Sequence, residues 1–208
     1  MKLLKRSSIV LLSVATLLFI FTSCFSNGSK KVLEKFFHDF KNKEIISTYE
    51  YLIDNQEKNI YKEYMENLIN VNKDGSKGEF RKLNDAMAKK IFDFKYEILE
   101  SKKIDNKNME IKINYQFYDF SKVYENALDD FLNKSLNFDN LENLYTEEYI
   151  INLVIEHINR VKKEEKQVTV KLVRENGFKI LMEKDLVELL TGNSIKLVDS
   201  IKDNIIKE

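Results

Sequence analysis

The sequence predicts an α+β fold in which helices pack on a four-stranded antiparallel sheet. Three observations predict it. Apolar residues recur at helical spacing over long stretches, two segments change to strict alternation of apolar and polar residues, and Asn176-Gly177 lies between two further alternating segments as a hairpin turn. The chain has 208 residues, 43% of them hydrophobic, which suits one domain with its own core.

Helical spacing opens the predicted domain. Four sets of apolar residues recur three or four positions apart, which is typical of helices with one buried face. These sets are Val32, Leu33, Phe36, Phe37 and Phe40; Ile45, Ile46, Tyr49, Leu52 and Ile53; Ile60, Tyr61, Tyr64, Met65, Leu68 and Ile69; and Phe80, Leu83, Met87 and Ile91. A polar stretch at residues 70–78, which contains glycine, predicts a loop between the third and fourth helices.

Two strands follow these helices in the prediction. Apolar and polar residues alternate over residues 92–98 and again over residues 109–117. Such alternation predicts strands with one face in water, as in an antiparallel sheet. Residues 102–107 form the predicted turn between them.

A helical insertion separates the second strand from the third. Helical spacing runs over residues 120–131 and 149–161, with Thr146 as the predicted N-cap of the second helix. The final hairpin then joins strands at residues 168–172 and 178–182. We therefore expect the sheet to be completed late in the chain.

The N-terminus has the three parts of a secretory signal: basic residues at Lys2, Lys5 and Arg6, an apolar run over residues 9–21, and small residues before Cys24. A membrane-spanning helix needs about 20 largely apolar residues, so this run is too short for one. We predict that the chain is exported. A plain signal peptide and an uncleaved anchor stay as alternatives to the more specific signal described next.

The segment Phe21-Thr22-Ser23-Cys24 resembles the lipobox of bacterial lipoproteins. The resemblance implies cleavage between Ser23 and Cys24 and attachment of acyl chains, such as palmitate, through the Cys24 sulfur. Cys24 is the sole cysteine, so acylation gives an otherwise unpaired exported thiol a use. The implied location is the extracytoplasmic side of the cell membrane or an outer membrane, with the lipid bilayer as partner.

These patterns divide the chain into four predicted parts. Residues 1–23 are the signal peptide, and residues 24–29 are the lipidated cysteine and a tether. Residues 30–193 form a single α+β domain, whose closing helix ends at Gly192. Residues 194–208 form an amphipathic C-terminal tail.

The charge balance argues against a nucleic-acid partner. The chain has 34 basic and 34 acidic residues. Three of the basic residues lie in the predicted signal, which leaves the mature chain with a net charge of −3. A nucleic-acid-binding domain would need a basic face.

The order of the predicted elements resembles the NTF2-like α+β families of small bacterial lipoproteins, which include domains of unknown function. The resemblance rests on residues 32–53, the alternating strands, the hairpin at residues 174–180 and the helix at residues 186–190. It implies a curved sheet wrapped into a cone whose mouth often holds a ligand. The aromatic residues predicted to line such a pocket, or else to be plain core, are Tyr96, Tyr115, Phe117 and Tyr124.

The loop after the third predicted helix begins like an EF-hand calcium loop, with oxygen side chains at Asn70, Asn72 and Asp74 before a glycine. The twelfth position, which should be a bidentate glutamate, is Arg81. The competing interpretation is a solvated turn. We predict no metal and no cofactor.

Two residues are candidate general bases. Asp119 continues the inward parity of the second strand, although it could instead cap the helix that follows. His157 lies at the edge of an apolar helical face, where a hydrogen-bonded structural role competes with a catalytic one.

The sequence therefore predicts a membrane-anchored, non-catalytic binding or interaction module for a small apolar ligand or an envelope protein. An NTF2-like enzyme that uses Asp119 or His157 on a small apolar substrate is the first alternative. A structural lipoprotein of the cell envelope is the second.

Overall fold

The computed structural model describes residues 27–70, 78–135 and 146–205. Its elements in chain order are α1 (residues 27–41), α2 (Ile45–Thr48), a 3₁₀ turn (Tyr49–Tyr51), α3 (Gln56–Asn70), α4 (Gly78–Ile91), β1 (Lys95–Lys103), β2 (Asn108–Tyr118), α5 (Val123–Ser135), α6 (Glu147–Arg160), β3 (Lys163–Arg174), β4 (Phe178–Leu181), α7 (Lys184–Thr191) and α8 (Ser194–Ile205). The predicted α+β class is confirmed.

The four strands form one antiparallel sheet in the order β1-β2-β3-β4. In the register, Tyr115 of β2 lies opposite Tyr96, and Leu172 of β3 lies opposite Ile180. The odd-numbered residues of β2 from 109 to 117 are buried, whereas the even-numbered ones are not. The predicted alternation thus sets one face of the sheet against the core and leaves the other face polar.

A β-bulge interrupts β1 between Ile98 and Glu100. The extra residue, Leu99, is exposed, and Ser101 then lies opposite Ile111. Because the strand gains one residue on its partner, the apolar parity shifts after Ile98. The first predicted strand also begins late, since β1 starts at Lys95 and not at residue 92.

Helix α1 packs Phe37 against the inner face of the sheet. The Phe37 ring centroid lies 4.4 Å from that of Tyr96 and 5.7 Å from that of Tyr115. Phe94 and Tyr115 stack at 5.0 Å with an interplanar angle of 16°. This aromatic core, which includes Phe36 and Phe40, fills the space between α1 and the first two strands.

The predicted helical insertion is confirmed as α5 and α6, between β2 and β3. The Thr146 side chain accepts a hydrogen bond from the Tyr149 N–H at 3.2 Å, as expected for an N-cap. Val154 and Ile158 on α6 are fully buried, so the insertion is part of the same core.

Helices extend across two of the predicted boundaries. Residues 27–29, which the prediction assigns to the tether, belong to α1, and Ser29 is fully buried. Residues 194–205 of the predicted tail form α8, whose Leu197 and Ile201 are buried in the core. Both segments therefore contribute buried side chains.

Cys24, the predicted lipid-attachment residue, and residues 1–23, the predicted signal peptide, lie outside the described residues. Among residues 27–70, 78–135 and 146–205, none of the helices is long and apolar enough to cross a membrane.

Candidate functional site

An apolar groove between α3, α4 and α8 is the candidate binding site. Its cavity volume is ≈ 460 Å³, and small-molecule pockets commonly measure about 300–1,000 Å³. Leu68, Leu83 and Ile201 line the groove and are buried, so they form its floor. One residue comes from each of the three helices.

The walls of the groove are also apolar. Its half-buried or exposed apolar lining consists of Ile60, Tyr64, Phe80, Ile195 and Val198. Ile60 is 41% exposed and lies beside the other apolar side chains of the walls. The groove therefore presents apolar surface to water that a ligand would cover.

A hydrogen bond between Tyr64 and Ser194 connects α3 to the start of α8. The Ser194 hydroxyl donates its hydrogen to the Thr191 carbonyl. The Ser194 Oγ can therefore accept a hydrogen bond from the Tyr64 hydroxyl. Burial raises the pKa of Tyr64, so the phenol stays protonated and can donate. Ser194 is fully buried and begins α8, so this bridge fixes the helix start beside the groove.

A second cavity, of ≈ 220 Å³, shares Ile60 and Ile195 with the groove as lining residues. Val187 and Thr191 of α7 also line this second cavity. The two cavities therefore neighbour each other across these two side chains.

Two carboxylates and two amides supply the polar lining of the larger cavity. Glu63 and Asn67 come from α3, Asn84 from α4 and Asp199 from α8. No lysine or arginine is among the described residues that line this cavity. The arrangement can hold an apolar body and offers hydrogen-bond acceptors at its edge.

The four aromatic residues predicted to line a pocket do not meet in this groove. Tyr115 is 1% exposed and Phe117 is 6% exposed, and both belong to the aromatic core. Burial raises the pKa of Tyr115. Tyr96 and Tyr124 are half-buried at the edge of the core. A ligand could reach Tyr115 only by displacing the rings that cover it.

Both candidate bases are engaged in structural hydrogen bonds. Asp119 follows the end of β2, and its Oδ1 accepts from the Ser121 N–H at 2.8 Å and from Asn193 Nδ2 at 3.0 Å. His157 Nε2 lies 3.0 Å from Asp130 Oδ2, which ties α6 to α5. Neither residue lines the apolar groove.

The calcium prediction falls largely outside the described residues. Asn72 and Asp74 lie in the undescribed segment 71–77, and Asn70 is the last residue of α3. Within the described part of the chain, no group of three or more His, Cys, Asp or Glu side chains could hold a metal ion.

A polar cluster lies at the end of the sheet where β2 ends and β3 begins. Asp93 accepts hydrogen bonds from Lys163 Nζ at 2.8 Å and from the Tyr118 hydroxyl at 3.0 Å. Lys90 Nζ lies 4.2 Å from the Tyr118 ring centroid and donates to the Val161 carbonyl at 2.9 Å. The lysine hydrogen bond is the main reason that the pKa of Asp93 is lowered. These bonds join α4, the sheet and α6, so the cluster is a structural clamp.

A second cleft, of ≈ 770 Å³, follows the edge of β3. The pairing of β3 with β4 covers only residues 171–174, so no described strand pairs with this edge of residues 163–170. Glu164 and Lys166 stand on this edge with the parity of the buried face. Inward-pointing charges commonly protect an edge strand against unwanted pairing. Because this accounts for the charged lining of the cleft, the cleft is a weaker candidate binding site than the apolar groove.

The apolar groove could not be found from local sequence patterns, because Tyr64 and Ser194 are 130 positions apart. The one available signal was the helical spacing of Ile195 and Val198 in the predicted tail. That spacing indicated an amphipathic helix but gave no information on its packing partners.

Comparison with known proteins finds a distant likeness to the crystal structure of ycdA, a presumed lipoprotein of Bacillus subtilis, with 12% identity and a TM-score of 0.41. The alignment covers 68% of this chain and 49% of that protein, so the chain matches about half its length. No protein-family model matches the sequence, and no curated protein matches it. The case for a function therefore depends on the residues of this chain.

Proposed function

We propose that the chain is a bacterial lipoprotein, anchored through acylated Cys24 on the extracytoplasmic side of a membrane, whose domain binds a small apolar ligand without catalysis. The observation that carries the binding role is the groove between α3, α4 and α8, with its apolar floor and exposed Ile60. The observation that supports the anchor is the lipobox-like segment Phe21-Thr22-Ser23-Cys24. The resemblance to NTF2-like families, which rests on the order of helices and strands, is part of the same proposal.

The geometry favours binding over the enzyme alternative. A general base must come within about 3 Å of the proton that it removes, directly or through one water. Asp119 and His157 lie outside the groove lining, and each has partners that hold it in place. A non-catalytic role agrees with both facts.

Native mass spectrometry of the full protein, extracted from its own host's membranes, tests the binding role. We expect a reproducible small adduct on the natural chain. Val198→Trp, which fills the groove, should remove the adduct. Ile46→Trp is the matched control, because Ile46 is 76% exposed on α2, away from the groove, and the natural chain has no tryptophan.

Ile60→Trp is a second blocking variant, in case Val198→Trp folds poorly, because Ile60 lines both cavities from an exposed position. An adduct that persists in both blocking variants would show that the ligand binds elsewhere. A natural chain without any adduct would contradict the binding role and favour a structural role in the envelope.

The same spectra test the anchor. Cleavage before Cys24 and acylation change the mass in opposite directions, by the signal peptide and by the acyl chains. We expect the natural chain to show both changes and Cys24→Ser to show no acylation. A natural chain that still contains residues 1–23 would overturn the lipoprotein proposal.

A further inference from the structure

We infer that the ligand of the apolar groove carries a positive charge: an elongated apolar molecule with an ammonium group at one end. This inference rests on the proposed function, since it names the ligand class for the same groove. It depends on which charged side chains surround the groove and on which of them already have partners.

Glu63 and Asp199 place two carboxylates on the groove from facing helices, α3 and α8. Neither makes an ion pair or a hydrogen bond within the described part of the chain. Both are exposed, so water solvates them in the free protein. A cation placed between the helices would interact with both.

Lys62 of α3 and Lys196 of α8, whose side chains the structure describes, are engaged elsewhere. Lys62 Nζ lies 4.0 Å from Glu66 and 5.7 Å from the ring centroid of Tyr49. Lys196 Nζ lies 3.4 Å from Glu188, beside the second cavity. The described side chains therefore leave the charge of Glu63 and Asp199 unneutralised.

The lining of the groove strengthens this preference. Tyr64 and Phe80 add two aromatic side chains, and ammonium groups are attracted to aromatic faces. Apolar walls also lower the local dielectric constant, so charges at the rim interact more strongly than in bulk water. An anionic head would be repelled by two carboxylates there, and a neutral head could donate no more than a hydrogen bond to them, without the attraction between opposite charges.

The shape of the cavity limits the apolar part of the ligand. The ≈ 460 Å³ cavity and the ≈ 220 Å³ cavity share Ile60 and Ile195 as lining residues. A single flexible alkyl chain can adapt to the apolar lining on either side of them. The inferred ligand is therefore a single-chain amphiphile with a cationic head near Glu63 and Asp199.

Three probes with the same tail test the inference: octylammonium, 1-octanol and octanoate. The full acylated protein is placed in phosphatidylcholine nanodiscs and titrated with each probe by calorimetry, with empty nanodiscs subtracted. We expect octylammonium to bind about three- to tenfold more tightly than octanol, as two exposed carboxylates would allow. Octanoate should bind most weakly of the three.

The double variant Glu63→Gln with Asp199→Asn separates charge from shape. It should bring the affinity for octylammonium down to that for octanol and leave octanol binding unchanged. Both residues are exposed, so the fold should be retained. Lys62→Gln is the control next to Glu63, since Lys62 does not line the groove.

The possible failures are distinguishable. If octanol binds, and Ile60→Trp abolishes its binding, while octylammonium binds no better than octanol, the cationic class is wrong and the groove still binds apolar molecules. If none of the three probes binds the natural chain, the proposed groove itself is contradicted. Tighter binding of octanoate than of octylammonium would overturn the charge argument directly.

Discussion

The aromatic core under the sheet and the groove between α3, α4 and α8 are built from similar side chains, yet only the core is closed. In the core, Phe37 contacts the rings of Tyr96 and Tyr115 on β1 and β2, and Phe94 contacts both of those rings. In the groove, Leu68, Leu83 and Ile201 make a floor, and within residues 27–70, 78–135 and 146–205 no fourth element lines it.

The difference shows that backbone placement decides where an apolar surface stays open. In the core, the register of the sheet and the position of α1 bring aromatic rings together, and these rings fill the space between the sheet and α1. Three helices leave a trough between them, and the Tyr64–Ser194 bridge fixes α8 at one side of it. Apolar content alone would not have separated the two regions.

Breaking the closed region should have the largest effect. Phe37→Ala removes a fully buried ring from the centre of the aromatic core. We expect a loss of about 3–5 kcal/mol in the free energy of unfolding, measured by denaturant titration. Leu132→Ala is the control, since Leu132 is 50% exposed, and it should change stability by less than about 0.5 kcal/mol. Similar losses in both variants would mean that the core is not closed as described.

The same truncation at the groove floor should cost less. Leu83→Ala removes a buried side chain, but the space that it leaves opens into an existing cavity. We expect a loss of about 2–3 kcal/mol, at the low end for Leu→Ala, because the site is already partly open. Calorimetry with alkyl probes should also show tighter binding of a longer tail. A loss as large as that of Phe37→Ala would indicate that the floor is packed on all sides.

The connection between the two regions can be tested at Gly192. This residue ends α7 with φ 59°, and its carbonyl accepts the Phe120 N–H at 2.8 Å. An added Cβ would clash with the Tyr118 carbonyl oxygen. Gly192→Ala should therefore cost at least about 1–2 kcal/mol.

Gly78→Ala is the matched control for that change, because a Cβ there meets nothing within 4 Å. It should be neutral or slightly stabilising in the same thermal-unfolding measurement. If Gly192→Ala and Gly78→Ala changed the stability equally, the backbone conformation of Gly192 would not be what positions α8 beside the groove.

The smallest expected effect is a pH dependence at the clamp. The hydrogen bond from Lys163 lowers the pKa of Asp93, so the folded state favours the carboxylate. This stabilisation is present above the unfolded pKa, about 3.9, and is lost as the pH falls through the lower folded value. Because Asp93 is exposed, Asp93→Asn should cost less than about 1 kcal/mol at pH 7 and nothing near pH 2. If the stability difference between the natural chain and Asp93→Asn were the same at pH 7 and near pH 2, the clamp would be contradicted.

Local patterns were sufficient to predict most of the fold. The alternation in β2 and the Asn176-Gly177 turn predicted the correct pairing, because both depend on neighbours in sequence. The bulge at Leu99 was not predicted, since one extra residue leaves too weak a break in the alternation.

The site was harder to predict than the fold. Tyr115 and Phe117 have the composition expected of a pocket, but tertiary packing closes the space around them. The groove depends on how α8 meets α3, and no pattern within either helix specifies that contact. Because the prediction assigns residues 194–208 to a tail, it does not include α8, which is one of the three helices that form the groove.

Residue 27, the first that the structure describes, already belongs to helix α1 and lies three positions after Cys24. Three extended residues span at most about 11 Å. An acyl anchor on Cys24 would therefore keep the domain close to the lipid headgroups, with little freedom to swing away from the bilayer. Such a protein would meet its ligand by diffusing in two dimensions, so molecules enriched at the bilayer surface would reach it first.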